Sequence, residues 1–171
     1  MGGLRRCRDM ITLAQRQFEA FYEAEKDRCL RALTASTGNR LLAEDLLAEA
    51  FARGWSRWPH VQRQPNPAAY VMRMAYNLNV SWWRRHRRER PLGEAAHAAH
   101  LDDTSSYDSA ALLAALPERQ RQVLALRIFL DLDTRETAEA LGIAPGTVTA
   151  HLHRATTSLR RQLTADALDR I

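Results

Sequence analysis

The residues best suited to bind a ligand lie in a short C-terminal stretch, residues 134–155. Asp133 and Glu136 have the spacing of a capping box that starts a helix, Gly142 provides a turn, and Pro145 suits the first position of a longer helix. A short helix, a tight turn and a longer helix are the parts of a helix-turn-helix, whose second helix enters the major groove of DNA. An ordinary pair of packed helices is the alternative. The cap, the glycine and the apolar residue after it together favour the DNA-binding interpretation.

The open face of the second helix carries the side chains that we expect to contact DNA. Val148 and Leu152 have helical spacing and should face the core. The residues left outside are Pro145, Thr147, Thr149, Ala150, His151, His153 and Arg154. Hydroxyl, imidazole and guanidinium groups in this set can donate hydrogen bonds to phosphates and base edges.

A second basic feature, residues 84–90, directly follows Trp82 and Trp83. Five of its seven residues are arginine, whose planar guanidinium suits phosphate. Aromatic rings beside it could stack on bases. A solvated helix end, where cations are favourable, is the alternative for the run. For the tryptophan pair we expect that one or both rings have core roles.

The remaining elements predict a wholly helical protein. Apolar residues recur at helical spacing over residues 11–33 and again over residues 41–58, where Pro59 should end the helix. Residues 60–67 read as a loop, and Pro67 can open a third helix that runs into the arginines.

Composition changes abruptly after the arginine run. Residues 91–109 are rich in alanine, serine and acids and show no sustained period, which predicts a flexible linker. The fold class that we expect is all-α, with two small helical domains joined by this acidic linker. The domains are residues 1–90 and residues 110–171, and the second contains the helix-turn-helix.

Composition also excludes several classes of function. The chain has 171 residues and a net charge of +5, with no apolar stretch long enough for a membrane span. Cys7 and Cys29 form no CxxC pair, and the histidines have no zinc-site spacing. No Ser-His-Asp order or phosphate-binding glycine loop is present. We therefore expect a cytoplasmic protein without a cofactor, without a metal and without enzymatic activity.

Helix 41–58 carries charged residues beside an apolar stripe. They are Glu44, Asp45, Glu49, Arg53 and Arg57. From these residues alone, the favoured interpretation is an amphipathic core helix with pairs such as Glu49–Arg53 at i,i+4 spacing.

Taken together, the stretches resemble the extracytoplasmic-function (ECF) class of bacterial RNA polymerase sigma factors, and in particular an actinobacterial subgroup. Residues 43–55 are similar to the polymerase-binding helix of that family, and residues 69–85 to the helix that reads the −10 promoter element. Residues 116–127 and 138–148 are similar to the domain that reads the −35 element.

The resemblance implies that the chain binds RNA polymerase core and directs promoter-specific transcription initiation. It implies two sets of contact residues besides the helix-turn-helix. The polymerase-binding set is Asp45, Leu46, Glu49 and Arg53. The −10 set is Asn77, Trp82, Arg84, Arg85, Arg87 and Arg88, with loop 60–67 shaping a pocket for a flipped base. The implied partners are core polymerase and promoter DNA, and an anti-sigma factor is a further candidate.

Some positions depart from the family pattern. Ala48 replaces a glutamine common at the polymerase contact, and Ala144 replaces the usual serine cap. Thr149, Ala150 and His151 stand where many relatives have Lys-Ser-Arg, which predicts weak DNA binding in the absence of polymerase. Two alternatives remain open: a free-standing dimeric helix-turn-helix regulator, which leaves the first module without a role, and an enzyme with an unrecognised site.

Overall fold

The computed structural model describes the backbone of residues 2–86 and 112–168 and the side chains of residues 12–84 and 112–165. Regular structure in these ranges is helical. The helices are α1 (Gly2–Thr37), α2 (Arg40–Ser56), α3 (Trp58–Val61), α4 (Pro67–His86), α5 (Glu118–Phe129), α6 (Thr134–Leu141) and α7 (Pro145–Leu168). The predicted linker, 91–109, lies outside the described residues. No helix within these ranges combines the length and apolarity that a membrane crossing requires.

The first module is built on α1, which is longer than the predicted helix 11–33. Its aromatic side chains form a cluster with those of α2 and α3: the Phe18 ring lies 5.3 Å from that of Trp58, and the Tyr22 ring 4.9 Å from that of Phe51, centroid to centroid. Edge-on contacts of this kind add to the hydrophobic gain of burial. The cluster fixes α2 against α1.

Polar caps define where helices of the first module begin. The side-chain oxygen of Asn39 accepts a hydrogen bond of 3.0 Å from the backbone of Leu42 at the start of α2. The prediction that Pro59 ends this helix is wrong, because α2 already ends at Ser56 and Pro59 lies in the first turn of α3. A proline is tolerated there because first-turn N–H groups have no partner within the helix.

The second module has the predicted helix-turn-helix. The carboxylate of Asp133 accepts a hydrogen bond of 2.7 Å from the backbone of Glu136, whose own carboxylate accepts one of 2.8 Å from the backbone of Asp133. Gly142 has a φ of 64°, a conformation that costs other residues energy. Val148 and Ala155 are fully buried, as the helical spacing predicts. The capping box, the turn and the start of α7 at Pro145 are confirmed.

The two modules contact each other in this structure. The most extensive helix–helix contact among the described residues joins α1 to α5, and α4 also packs on α6. One continuous core cluster includes buried residues of both modules, such as Cys29 and Leu33 of α1 with Val123 and Leu126 of α5. The sequence pattern predicts the apolar faces of these helices but not that they cover one another.

Candidate nucleic-acid and partner interfaces

The outer face of α2 presents charge to solvent. Asp45, Glu49 and Arg53 are all exposed, and the Arg53 guanidinium donates a hydrogen bond of 2.7 Å to the Glu49 carboxylate. This is the predicted i,i+4 pair. Asp45 has no ion-pair partner among the residues whose side chains the structure describes. Because exposed ion pairs contribute little to stability, this face is free to exchange its partners for those of another protein.

Leu46 differs from the other residues predicted on this face. It is only 6% exposed and belongs to the core cluster, so in this structure it packs inside the protein and does not share the exposed face of Asp45 and Glu49. The sequence analysis missed Leu41, which is 75% exposed and lies one helical turn before Asp45. An exposed leucine beside a carboxylate could have been found from helical spacing, since Leu41 and Asp45 fall on the same face.

The solvent-facing stripe of α4 is basic and polar. Arg73, Asn77, Val80 and Arg84 are all exposed, and at about 100° per residue they fall within about 60° of one another around the helix. The stripe is held outward because Val71, Met72 and Ala75, on the other side of α4, are fully buried. The structure therefore brings Asn77 and Arg84 of the predicted −10 set together and adds Arg73, which the sequence analysis did not single out.

The two tryptophans of α4 do not join this stripe. Trp82 lies nearly opposite Asn77 around the helix and is half-buried, whereas Trp83 is 53% exposed. Their rings meet edge to face, with centroids 6.4 Å apart. Neither belongs to the buried core of the described residues, so the expected core role is wrong for Trp83. The side chains of Arg85, Arg87 and Arg88 lie outside the described residues.

The loop before α4 is ordered by Asn66. Its side-chain oxygen accepts a hydrogen bond of 3.1 Å from the backbone of Ala69, which caps α4, and its amide nitrogen donates one of 2.9 Å to Glu136 in the second module. A cleft lies between this loop and α6, with Tyr70 and Arg73 on one wall and Arg135 on the other. The predicted pocket loop is thus partly covered by the helix-turn-helix.

The outer face of α7 is open. Pro145, Thr147, Thr149, Ala150, His153 and Arg154 are exposed. His151 is half-buried at the edge of this face, and its Nδ1 atom is buried without a hydrogen-bond partner. Six of the seven predicted contact residues are therefore exposed, and His151 is partly covered.

The same face continues beyond the predicted residues. Arg154, Thr157 and Arg161 line a groove between α7 and the start of α5, with Gln120 on the opposite side. Arg154 and Arg161 are seven positions apart, which places two guanidinium groups on one side of the helix. Arginines spaced in this way suit successive phosphates of a DNA strand.

These surfaces define a class: a helical protein of two modules with an acidic partner face and two separate basic, polar faces. The comparisons with known proteins are more specific. Residues 21–89 match the family model described as sigma-70 region 2, and residues 110–159 match the model of sigma-70 region 4.

Curated relatives match nearly the whole chain. The RNA polymerase sigma-E factor of Streptomyces coelicolor is 35% identical over 158 residues, which cover 90% of this chain and 89% of the relative. The ECF RNA polymerase sigma factor ShbA of Streptomyces griseus is 49% identical over a shorter stretch of 49 residues. The chain belongs to the sigma-70 family of RNA polymerase sigma factors, and it resembles the ECF factors of actinobacteria.

Solved structures share the fold. The sigma factor RpoE in its complex with the anti-sigma factor NepR from Bartonella quintana has a TM-score of 0.68 and 22% identity, covering 86% of this chain and 99% of that one. The structure of CnrH with the cytosolic domain of CnrY has a TM-score of 0.63 and 20% identity, covering 89% and 90%. As a sigma factor, the chain binds RNA polymerase core and directs promoter-specific transcription initiation.

Proposed function

We propose that this sigma factor contacts core polymerase through the outer face of α2 and reads the promoter with α4 and α7. The single observation that carries the proposal is the separation of three exposed faces of different chemistry. The α2 face carries Asp45 and Glu49, while the α4 and α7 faces carry arginine and hydrogen-bond donors. A phosphate backbone repels the first face and attracts the other two.

The polymerase contact centres on Leu41 and Asp45. Leu41 supplies exposed apolar surface whose burial would stabilise a complex, and Asp45 supplies a charge that selects a basic partner. Glu49 and Arg53 flank them. Because their ion pair is exposed, it can rearrange at small cost when a partner docks.

The −10 contact centres on Asn77 with Arg73 and Arg84. An asparagine side chain has both donors and an acceptor, so it can pair with the edge of a base that has left the duplex. The arginines on either side of it along the helix are placed to hold the adjacent phosphates. In this assignment Arg85, Arg87 and Arg88 extend the phosphate contact, and Trp82 supports α4 from its other side.

The −35 contact is the open face of α7. Thr147 and Thr149 lie in the first turns of the helix, the part that enters the groove in a helix-turn-helix. Arg154 and Arg161 follow along the helix and are assigned to phosphate. Since Ala150 and the half-buried His151 carry no exposed cation, this module should bind duplex DNA weakly when it is not held on polymerase.

The wider organisation follows from these roles. Residues 1–90 form the polymerase-binding and −10 module, residues 110–171 the −35 module, and residues 91–109 the linker between them. The chain acts as a specificity subunit and not as an enzyme, in the cytoplasm where polymerase works. An anti-sigma factor is a suitable partner, because the similar sigma factor RpoE of Bartonella quintana was solved in complex with the anti-sigma factor NepR.

The test is reconstitution with purified bacterial core polymerase. The expected result is a stable complex at low salt and transcription from defined start sites that core alone does not use. Absence of both would refute the proposal. If the chain instead binds a palindromic duplex as a dimer and leaves core unbound, it is a free-standing regulator.

A further inference from the structure

Val80 is an exposed apolar residue in the middle of a basic and polar helix face. It is 44% exposed and belongs to the stripe of α4 that contains Asn77. At about 100° per residue, Val80 lies about 20° from Arg73 and about 40° from Arg84 around the helix axis. It is therefore at the centre of the stripe, and the side chains around it suit a nucleic acid.

Neither core packing nor helix propensity accounts for a valine at this position. Other residues form the buried side of α4, among them Val71, Met72 and Ala75, which are fully buried. Valine also loses side-chain freedom in a helix, so at an exposed position it costs the helix free energy that alanine would not. A partner outside the protein is the remaining reason for this side chain.

The residue before Val80 makes the position more unusual. Asn79 is only 5% exposed, and its side-chain Oδ1 atom is buried without a hydrogen-bond partner among the described residues. The usual preference would place the polar side chain outside and the apolar one inside. Departures from such local rules are expected at functional positions, because there a side chain serves a partner and not the core.

The charge of the surrounding chain indicates the kind of partner. No aspartate or glutamate occurs in residues 50–88, a stretch that contains eight arginines. Helix α4 lies within this stretch, so its exposed face attracts a phosphate backbone and holds no carboxylate that would repel one. The chemistry that meets Val80 in a complex is therefore that of a DNA base.

The distance between Val80 and Asn77 suits two neighbouring nucleotides. Three residues of an α-helix rise about 4.5 Å along the axis. Successive nucleotides of one strand are about 3.4 Å apart along a duplex, and farther apart when the bases are unstacked. With one base held by Asn77, the next base on the side of Arg84 lies against Val80.

An apolar side chain at this place distinguishes one base from the others. Among the four bases thymine alone carries an aliphatic group, its C5 methyl, and the methyl groups of Val80 can pack on it and exclude water. A cytosine has only hydrogen at this position. A purine presents its polar N7 atom there, which would lose its hydrogen bonds to water. The contact therefore favours thymine.

We propose that Val80 determines sequence specificity by contacting the C5 methyl group of a thymine that directly adjoins the base held by Asn77. This inference rests on the proposed function and adds one atom of the promoter to it. Arg73 and Arg84 contribute affinity that does not depend on sequence, because they contact phosphate. Val80 contributes selectivity, and burial of one methyl group corresponds to about a fourfold change in affinity.

The test uses holoenzyme reconstituted from core polymerase and the full chain. Promoters are selected from a DNA library that is randomised over the −10 element, and each thymine required for binding is replaced by deoxyuridine, which lacks only the methyl group. One replacement should lower the affinity of the wild-type holoenzyme about fourfold, whereas holoenzyme with Val80→Ala should bind both DNAs equally. Equal losses in the two holoenzymes, or no loss at any thymine, would overturn the proposal.

Two control variants test whether the effect belongs to this contact. Val80→Ile keeps an apolar side chain and should remain sensitive to deoxyuridine. Ile128→Ala removes another exposed and branched side chain, near the end of α5, and should leave the sensitivity as it is. Loss of the sensitivity in either control would contradict the methyl contact. Val80→Ala should fold normally, because alanine has the higher helix propensity.

The outcomes separate this proposal from the proposed function. A holoenzyme that selects no DNA from the library refutes the proposed function, and the thymine contact with it. A holoenzyme that selects and transcribes promoters, but whose response to deoxyuridine does not depend on Val80, refutes the thymine contact alone.

Discussion

The hydroxyl of Tyr76 donates a hydrogen bond of 2.7 Å to the side-chain oxygen of Ser36 in the interior of the first module. The direction follows from the Ser36 hydroxyl, whose only proton is already donated to the carbonyl of Ala32, 2.7 Å away. The bond fixes α4 against the end of α1. Tyr76 directly precedes Asn77 on α4. Because successive residues of a helix point about 100° apart, burying Tyr76 helps to turn Asn77 to solvent.

Alkaline pH should destabilise the fold. Burial raises the pKa of Tyr76 well above its usual range and that of Cys29 to about 12. The unfolded chain releases the thiol proton at about pH 8.5 and the phenol proton at about pH 10, so stability is complete below about pH 8 and falls as pH rises above it. The expected slope approaches roughly 1 kcal/mol per pH unit from Cys29 above about pH 9 and a further roughly 1 kcal/mol per pH unit from Tyr76 above about pH 10.5. Urea unfolding between about pH 8 and about pH 11.5 measures both slopes, and Tyr76→Phe should reduce the slope only above about pH 10.

Two glycines should respond in opposite ways to substitution by alanine. Gly142 has a φ of 64° and Gly146 lies in the first turn of α7, and an added methyl group would meet nothing within 4 Å at either position. The two positions therefore differ only in their backbone conformation. Gly142→Ala should cost about 1 kcal/mol of unfolding free energy, whereas Gly146→Ala should be neutral or add about 0.5 kcal/mol. Equal effects in chemical denaturation would contradict this account of the turn.

Reversal of the charge at Asp45 should weaken the polymerase complex. Asp45→Arg places a cation on the exposed face of α2, and a basic partner would repel it. Core affinity should fall about tenfold or more with little change in stability. Glu19→Arg, a similar reversal at an exposed site of α1, should leave affinity unchanged. Equal losses in the two variants would point to overall charge and not to this face.

Asn77→Ala should separate core binding from promoter opening. Asn77 is exposed in the middle of α4, and alanine has the higher helix propensity, so the fold should be kept. Open-complex formation should fall about tenfold, because one base loses its hydrogen bonds, while core affinity stays the same. Permanganate reactivity of unpaired thymines measures the first quantity. A parallel loss of both would make Asn77 a structural residue.

The salt dependence of promoter binding should identify the phosphate contacts of α4. Arg84→Ala and Arg73→Ala should each reduce the slope of log affinity against log salt by about one unit. The holoenzyme is titrated with promoter DNA at several salt concentrations. Arg31→Ala removes the same charge from α1 and should leave the slope as it is. A slope that all three substitutions change equally would assign the effect to net charge.

The sequence by itself determined the elements whose signals are local. The capping box at Asp133, the left-handed Gly142 and the start of α7 at Pro145 each depend on residues within one or two turns, so the helix-turn-helix could be predicted in detail. The solvent-facing residues of α7 could be predicted because Val148 and Leu152 mark the buried side of the helix. Pro59 was misjudged because proline also suits the first turn of a new helix.

Only the tertiary structure decided which faces meet. Helical periodicity shows that α1 and α5 each have an apolar side, but it does not name the helix that covers it. Hydrogen bonds from Arg28, Asn66 and Arg121 join residues 101, 70 and 85 positions apart. The burial of Leu46 and the exposure of Leu41 depend in the same way on neighbours distant in the chain. Contacts over such separations leave no local signal, because each partner by itself resembles any other surface residue.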